Sequence, residues 1–301
     1  MSELKKKILA AVDGSEGALA AIRYAGQMLP SGTAEIVLFH VMPPAPPLYR
    51  EAADPMLQQA HASWRRRQER EAQEVLSTAE SVAHQAGFTG ANVRTKKHPA
   101  VIGVARDILA EGARGHYDAV VMGRRGLGLM EDLFIGSVSN KVLSHSSIPL
   151  WLVEGKHLAR PVLVALDESE DAMRAVDHVG LMLAGSDIPV TLFHVQPPQL
   201  FAPPLEPEVC SGEEVLRDFP FLAEARRQLV EAGIGEHLIH VSACRRGRDA
   251  ARELLREARE GGYGTIVLGR RGITGAKAFL LGSVSTKLVY SARQMAVWVV
   301  P

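Results

Sequence analysis

Short apolar runs without alternation punctuate this chain, separated by longer segments of helical spacing. Ile8 to Val12, Ile36 to Val41 and Ala119 to Met122 are apolar at nearly every position rather than every second one. Strands of a parallel sheet covered on both faces have this signature, because neither face meets water. The pattern predicts strand, helix, strand, long loop and helix, strand, helix, strand, helix, strand, and then the same series again. Such alternation specifies an α/β fold made of doubly wound open parallel sheets. Ser15 and Ser169 stand where they would cap the first helix of each series, and Ser137 and Ser283 stand likewise at the fourth.

The pattern recurs because the sequence itself does. "ILAAVDGSEGALAAIRYAGQML" from Ile8 parallels "VLVALDESEDAMRAVDHVGLML" from Val162, which sets Asp13 opposite Asp167. "IVLFHVMPP" parallels "VTLFHVQPP" and sets His40 opposite His194, again 154 positions apart. "GRRGLGLMEDLFIGSVS" from Gly123 returns as "GRRGITGAKAFLLGSVS" from Gly269, only 146 positions on, so the first half holds eight extra residues before this motif. They are assigned to a longer helix within Asp54 to Gly87, where Arg65 to Arg67 form a solvated face. The second half has a Pro-rich loop there, Pro197 to Val209, and then a helix near Glu213 to Ala232. These divergent segments are where partner choice is expected. The boundary falls in "EGKHLA", giving two tandem domains, 1–155 and 156–301, on a linker short enough to fix their interface. The last strands carry Trp151 and Trp298 at matching places and are expected to pair, making an intramolecular pseudo-dimer without exposed edges there.

Composition narrows the chemistry mostly by exclusion. Thirty-four basic and thirty-four acidic side chains cancel, so no net field recruits nucleic acid or an anionic membrane. Apolar runs such as Ala296 to Val300 fall far short of the roughly 20 residues that span a bilayer. Lys5 to Lys7 followed by Ile8 to Val12 imitates a signal peptide, but Asp13 and Gly14 end the run, so a first strand and a cytoplasmic location are expected. Cys210, in a predicted loop, and Cys244, near a strand end, lack CxxC spacing, and the eleven histidines form no metal-ligand pattern. No GxGxxG follows a first strand, no GxxxxGK[ST] occurs, and GxSxG is absent.

What remains is chemistry at strand ends. Ligands of open parallel sheets bind beyond the carboxyl ends of strands where the strand order reverses, and Asp13, Asp167 and both glycine motifs occupy such ends. Gly123 and Gly126 let main chain approach a ligand closely, and Gly136 with Ser137 opens a helix whose free N–H groups favour phosphate. A carboxylate for hydroxyl or amine donors, together with a nest for phosphates, points to a nucleotide. The alternative is that the glycines build turns and the aspartates cap helices. His40 and His194 lie within strands and read as core residues, while Arg124, Arg125, Arg270 and Arg271 are candidates for phosphate contact.

The doubled pattern G-x2-G-x9-G-S, with an Asp after the first strand and "FHV" in the second, resembles the ATP-binding branch of the universal stress proteins over nearly the whole chain. The resemblance implies two Rossmann-like domains of the adenine nucleotide alpha hydrolase-like type. It also implies adenine and ribose near Asp13 and Val41 in one half, and near Asp167 and Val195 in the other. Ribose and phosphates would meet Gly123, Gly126, Gly136, Ser137 and Val138, or Gly269, Gly272, Gly282, Ser283 and Val284. Any Mg2+ would be held mainly by the phosphates. Glu168 departs from the first half's Gly14, and the loops differ in charge, with Glu131 and Asp132 opposite Lys277 and Ala278, which predicts tighter triphosphate binding in the second half.

The function expected is a nucleotide-dependent regulator of stress survival acting on an unidentified protein partner, rather than an efficient enzyme. A fast ATPase needs a positioned base, and the two loops share no acidic residue. A slow ATPase or autophosphorylating enzyme, with Ser137 or Ser283 as acceptor, and a nucleotide-free interaction scaffold are the alternatives. A homodimer beyond the intramolecular pair stays open.

Overall fold

A computed structural model describes residues 5–49, 54–127, 135–197, 207–272 and 281–301. The first half runs β1 (Lys6–Ala11), α1 (Glu16–Met28), β2 (Ala34–Met42), α2 (Pro55–Gln85), β3 (Val93–Pro99), α3 (Val104–Arg114), β4 (Ala119–Gly123), α4 (Ser137–His145) and β5 (Leu150–Val153). The second runs β6 (Val162–Leu166), α5 (Glu170–Leu183), β7 (Val190–Val195), β8 (Glu208–Ser211), α6 (Glu213–Asp218), α7 (Pro220–Glu231), β9 (Ile239–Arg245), α8 (Ala250–Glu260), β10 (Thr265–Gly269), α9 (Ser283–Ser291) and β11 (Ala296–Val300). All eleven strands form one sheet in the order β3-β2-β1-β4-β5-β11-β10-β6-β7-β9-β8.

The missing alternation has the expected cause. Ile8, Ala10, Ile36 and Leu38 pack against α1 and α2 on one face, while Leu9, Val37 and Phe39 pack against α3 and α4 on the other. In the second half α5 and α7 continue the first layer and α8 and α9 the second. Within each half the five repeated strands are parallel, so the order reverses between β1 and β4 and again between β6 and β10.

The two halves meet where the final strands pair antiparallel, with Trp298 opposite Trp151. The rings stack at 3.9 Å between centroids and 1° between planes, fully buried. Trp298 Nε1–H donates to Tyr24 Oη of the first half at 2.8 Å, and Trp151 Nε1–H donates to His178 Nε2 of the second at 2.9 Å. Tyr24 and His178 are equivalent positions of the repeat, 154 residues apart. The expected intramolecular pair of edges is therefore present, and each half supplies the hydrogen-bond acceptor for the other's indole.

The eight extra residues do lengthen a helix, since α2 has 31 residues. Its Arg65, Arg66 and Arg67 are exposed. The helix expected over Glu213 to Ala232 is instead two, α6 and α7, because Pro220 has no N–H to donate and holds Phe219 at φ −128°, ψ 79°, outside the helical region. The end of the segment expected as a Pro-rich loop forms β8, antiparallel to β9, so Cys210 lies in a strand; residues 198–206 of that segment lie outside the described residues.

Candidate functional site

At each reversal of strand order a cavity opens beyond the strand ends. The first, about 580 Å³, is lined by Asp13, Val41, Gly123, Gly126, Gly136, Ser137 and Val138. The second, about 310 Å³, is lined by Asp167, Val195, Gly269, Gly272, Gly282, Ser283 and Val284. All fourteen residues singled out in the sequence thus fall on two cavity walls, seven to each. Both volumes lie in the range of small-molecule sites, roughly 300–1,000 Å³.

Asp13 is held in place by its neighbours. Oδ1 accepts from Ser15 N–H at 3.0 Å and from the Ser15 hydroxyl, and Oδ2 accepts from Leu127 N–H at 3.3 Å. Ser15 in turn caps α1 by accepting from Ala18 N–H, as the sequence leads one to expect. Asp167 repeats this with Ser169, which caps α5. A Cβ added at Gly126 would stand 2.2 Å from Asp13 Oδ2, and one at Gly272 would stand 2.5 Å from Asp167 Oδ2. These glycines are therefore required by the carboxylates beside them. Gly123 serves a second contact: a Cβ there would meet the Gly17 carbonyl carbon at 2.6 Å, so the end of β4 and the first turn of α1 close directly on each other.

His40, like His194, is half-buried rather than in the core as its strand position leads one to expect. Its Nδ1 lies 2.8 Å from the Val12 carbonyl oxygen, and His194 Nδ1 lies 2.9 Å from that of Leu166. A carbonyl can only accept, so Nδ1 carries the proton and the ring clips one strand end to the next. Both histidines also line their cavities. The floor of the first cavity is apolar, with Phe39, Ile108 and Met122. In the second Phe193, Leu254 and Leu268 do the same.

The opposite end is built from helix termini. Ser137 and Ser283 do not cap these helices: they are the first helical residues, and the caps are Gly136 and Gly282, with no side chain to offer. A helix begins with N–H groups that have no intrahelical partner, so those of α4 and α9 face the cavities without a capping oxygen. Ser139 Oγ–H and Ser285 Oγ–H donate to the carbonyls of Gly123 and Gly269 at 3.0 Å, tying each helix to the strand end. The sequence reasoning missed this pair; the doubled "GSVS" was the available signal.

The four arginines divide two and two. Arg124 and Arg270 are 2% and 7% exposed and point away from the cavities into the junction between the halves, so they are not phosphate contacts. Burial holds both guanidinium pKa values below the ordinary range. Arg125 and Arg271 line the first and second cavity, paired with Glu154 at 2.6 Å and Asp171 at 3.0 Å. Glu168 is exposed and does not line the second cavity. The contrast between Glu131, Asp132 and Lys277, Ala278 lies outside the described residues. Among the described residues no group of His, Cys, Asp and Glu is arranged to hold a metal, and no helix is long and apolar enough to cross a membrane.

The sequence profile of the universal stress protein family matches residues 5–154 and again 159–301. The chain belongs to the universal stress protein family. A universal stress protein of Mycolicibacterium smegmatis is 31% identical over 294 residues, covering 95% of this chain and 94% of its own length. One from Thermus aquaticus is 33% identical over 150 residues, covering 49% of this chain and 98% of its own. Among solved structures, a universal stress protein from Archaeoglobus fulgidus superposes with a TM-score of 0.68 at 21% identity, covering 98% of this chain and 97% of that one. That likeness establishes the α/β tandem fold over the whole length.

Proposed function

We propose that this universal stress protein binds ATP or a related adenine nucleotide in both cavities and uses occupancy to regulate a partner in the stress response. One observation carries the reading: in each half a positioned carboxylate and an uncapped helix N-terminus share one cavity over an apolar floor. A flat heterocycle fits the floor, Asp13 or Asp167 suits ribose or amine donors, and the N–H groups of α4 or α9 suit phosphate. Arg125 and Arg271 stand on the walls to add positive charge, although each already meets a carboxylate. A magnesium ion, where present, would be carried by the phosphates. The resemblance in sequence assigns the same residues to the same parts of the nucleotide, and the expected setting is the cytoplasm.

The test begins with protein purified under mild conditions, denatured, and its released nucleotide identified by chromatography. Calorimetry of the Asp13→Ala, Asp167→Ala double variant with ATP then tests the site. Loss of a charged hydrogen bond costs roughly 1.5–3 kcal/mol, so affinity should fall about tenfold or more with the fold retained. Unchanged affinity would remove both carboxylates from the site. Sustained phosphate release from ATP would favour slow hydrolysis over regulation by occupancy.

A further inference from the structure

Each Gly-Arg-Arg-Gly loop makes contacts in both halves. The carbonyl of Arg124 accepts the Gly136 N–H at 2.9 Å, which holds the start of α4 at the first cavity. Its side chain leaves that half: Nη1 donates to Glu154 Oε2 at 2.7 Å and to the carbonyl of Ala292, the C-cap of α9. At the second cavity the carbonyl of Arg270 accepts the Gly282 N–H at 3.0 Å and holds the start of α9. Its side chain crosses the other way and donates to the carbonyls of Ser146, at 2.5 Å, and Ser144, at the C-terminal end of α4. The links close a ring that runs from Arg124 through α4 to Arg270, and through α9 back to Arg124.

The polarity of this ring is its second feature. A helix carries partial positive charge at its N-terminus and partial negative charge at its C-terminus. An anion at the start of α4 and the Arg270 guanidinium at its end therefore favour the same dipole. The nine residues of α4 span only about 13 Å. The two arginines differ in one respect: Arg124 pairs with Glu154, which also meets Arg125 and Arg293, whereas Arg270 has no carboxylate within ion-pair distance among the described residues. The charge of Arg270 acts on the α4 carbonyls without a directly bonded carboxylate.

We infer that Arg124 and Arg270 are positioning residues that couple the two cavities, so that phosphate bound at one helix start favours binding at the other. The inference rests on the nucleotide reading above. Phosphate at Gly136 tightens α4 onto Arg270, and Arg270 fixes the loop that, with the start of α9, forms the phosphate end of the second cavity. By linkage the effect runs equally in reverse. The α4 to Arg270 arm carries the larger share, because Arg270 donates to two carbonyls at the end of α4 and to no carboxylate, whereas Arg124 donates to one carbonyl at the end of α9 and to Glu154.

The experiment is ATP calorimetry on the full chain in the Asp167→Ala background, where the first cavity dominates. Adding Arg270→Met should weaken the first cavity about two- to fivefold, although Arg270 belongs to the loop of the second, and Arg270→Lys should recover part of the loss. Arg124→Met in the Asp13→Ala background should weaken the second cavity less. A second readout leaves both arginines intact: in Asp13→Ala protein, ATP should slow hydrogen exchange in residues 141–148 of the opposite half. If Arg270→Met melts early, this exchange measurement decides alone. ATP binding of ordinary strength with no crossed change in affinity or exchange overturns the coupling and leaves the nucleotide reading standing. No ATP binding by the unaltered chain overturns both.

Discussion

Replacing Trp151 by alanine is expected to cost about 3–5 kcal/mol of stability, the range for deleting a fully buried large aromatic side chain. Three losses combine: the stack with Trp298, the packing against Tyr24 and His178, and the donor to His178 Nε2. Trp298→Ala should cost a similar amount, because it removes the mirror-related donor to Tyr24. The two rings touch, so the double variant should cost less than the sum of the singles. Urea unfolding of the three variants and the parent measures all of these values. A loss below about 1 kcal/mol for either single variant would mean that the stack does not hold the halves together.

This junction answers a problem that each half has alone. A sheet ending at β5 or β11 would present an unpaired edge of apolar side chains, an invitation to aggregation. Tandem repetition lets one edge satisfy the other within a single chain. The same closeness brings the Gly-Arg-Arg-Gly loops within reach of the opposite helices, so the arginines beside the cavities also cross the junction. Fold stability and any communication between sites therefore share residues.

How much of this could be read in advance depended on whether the signal was local. Apolar runs, serine caps and glycine spacing are short-range features, and they located the ten repeated strands, though not β8, the α1 and α5 caps, and the aspartates and glycines of both cavity walls. Asp13 and Gly126 could both be placed beyond strand ends; that a Cβ at Gly126 would strike Oδ2 needed coordinates. The arginines were misjudged at Arg124 and Arg270, since nothing local distinguishes a solvated arginine from one that reaches a helix end more than 120 residues away. Ser137 stands one position past the expected cap because glycine, at Gly136, is itself a favoured N-cap residue. The break at Pro220 went unread although its signal is local, since a proline in a helical pattern marks a start or a kink.

His178 makes the chain sensitive to acid in a way that its counterpart does not. It is buried against Trp151 and Trp298, where desolvation lowers its pKa from about 6.5 to about 3. Its Nε2 accepts the Trp151 N–H, which requires that nitrogen to be unprotonated. Below pH 6.5 the unfolded chain takes up a proton that the folded chain refuses until about pH 3, so stability is full above 6.5 and falls with pH through that window. At about 1.4 kcal/mol per pH unit, the loss by pH 4 from this residue alone is about 3 kcal/mol. Tyr24, at the equivalent position, has its pKa raised by burial and stays neutral throughout the acid range. The arrangement of Tyr24, Thr265 and Trp298 across the junction can be copied by His178→Tyr with Ala119→Thr, since Ala119 stands where the repeat has Thr265. Urea unfolding of both proteins at pH 7 and pH 4 compares the acid losses, with carboxylate contributions common to the two. The unaltered chain should lose about 3 kcal/mol more than the variant. Equal losses would mean that His178 is protonated in the folded state near its ordinary pKa. For a variant that folds poorly, the nitrogen shifts of His178 in the unaltered chain at pH 5 serve instead: a neutral ring with its proton on Nδ1 is expected, and an imidazolium contradicts it.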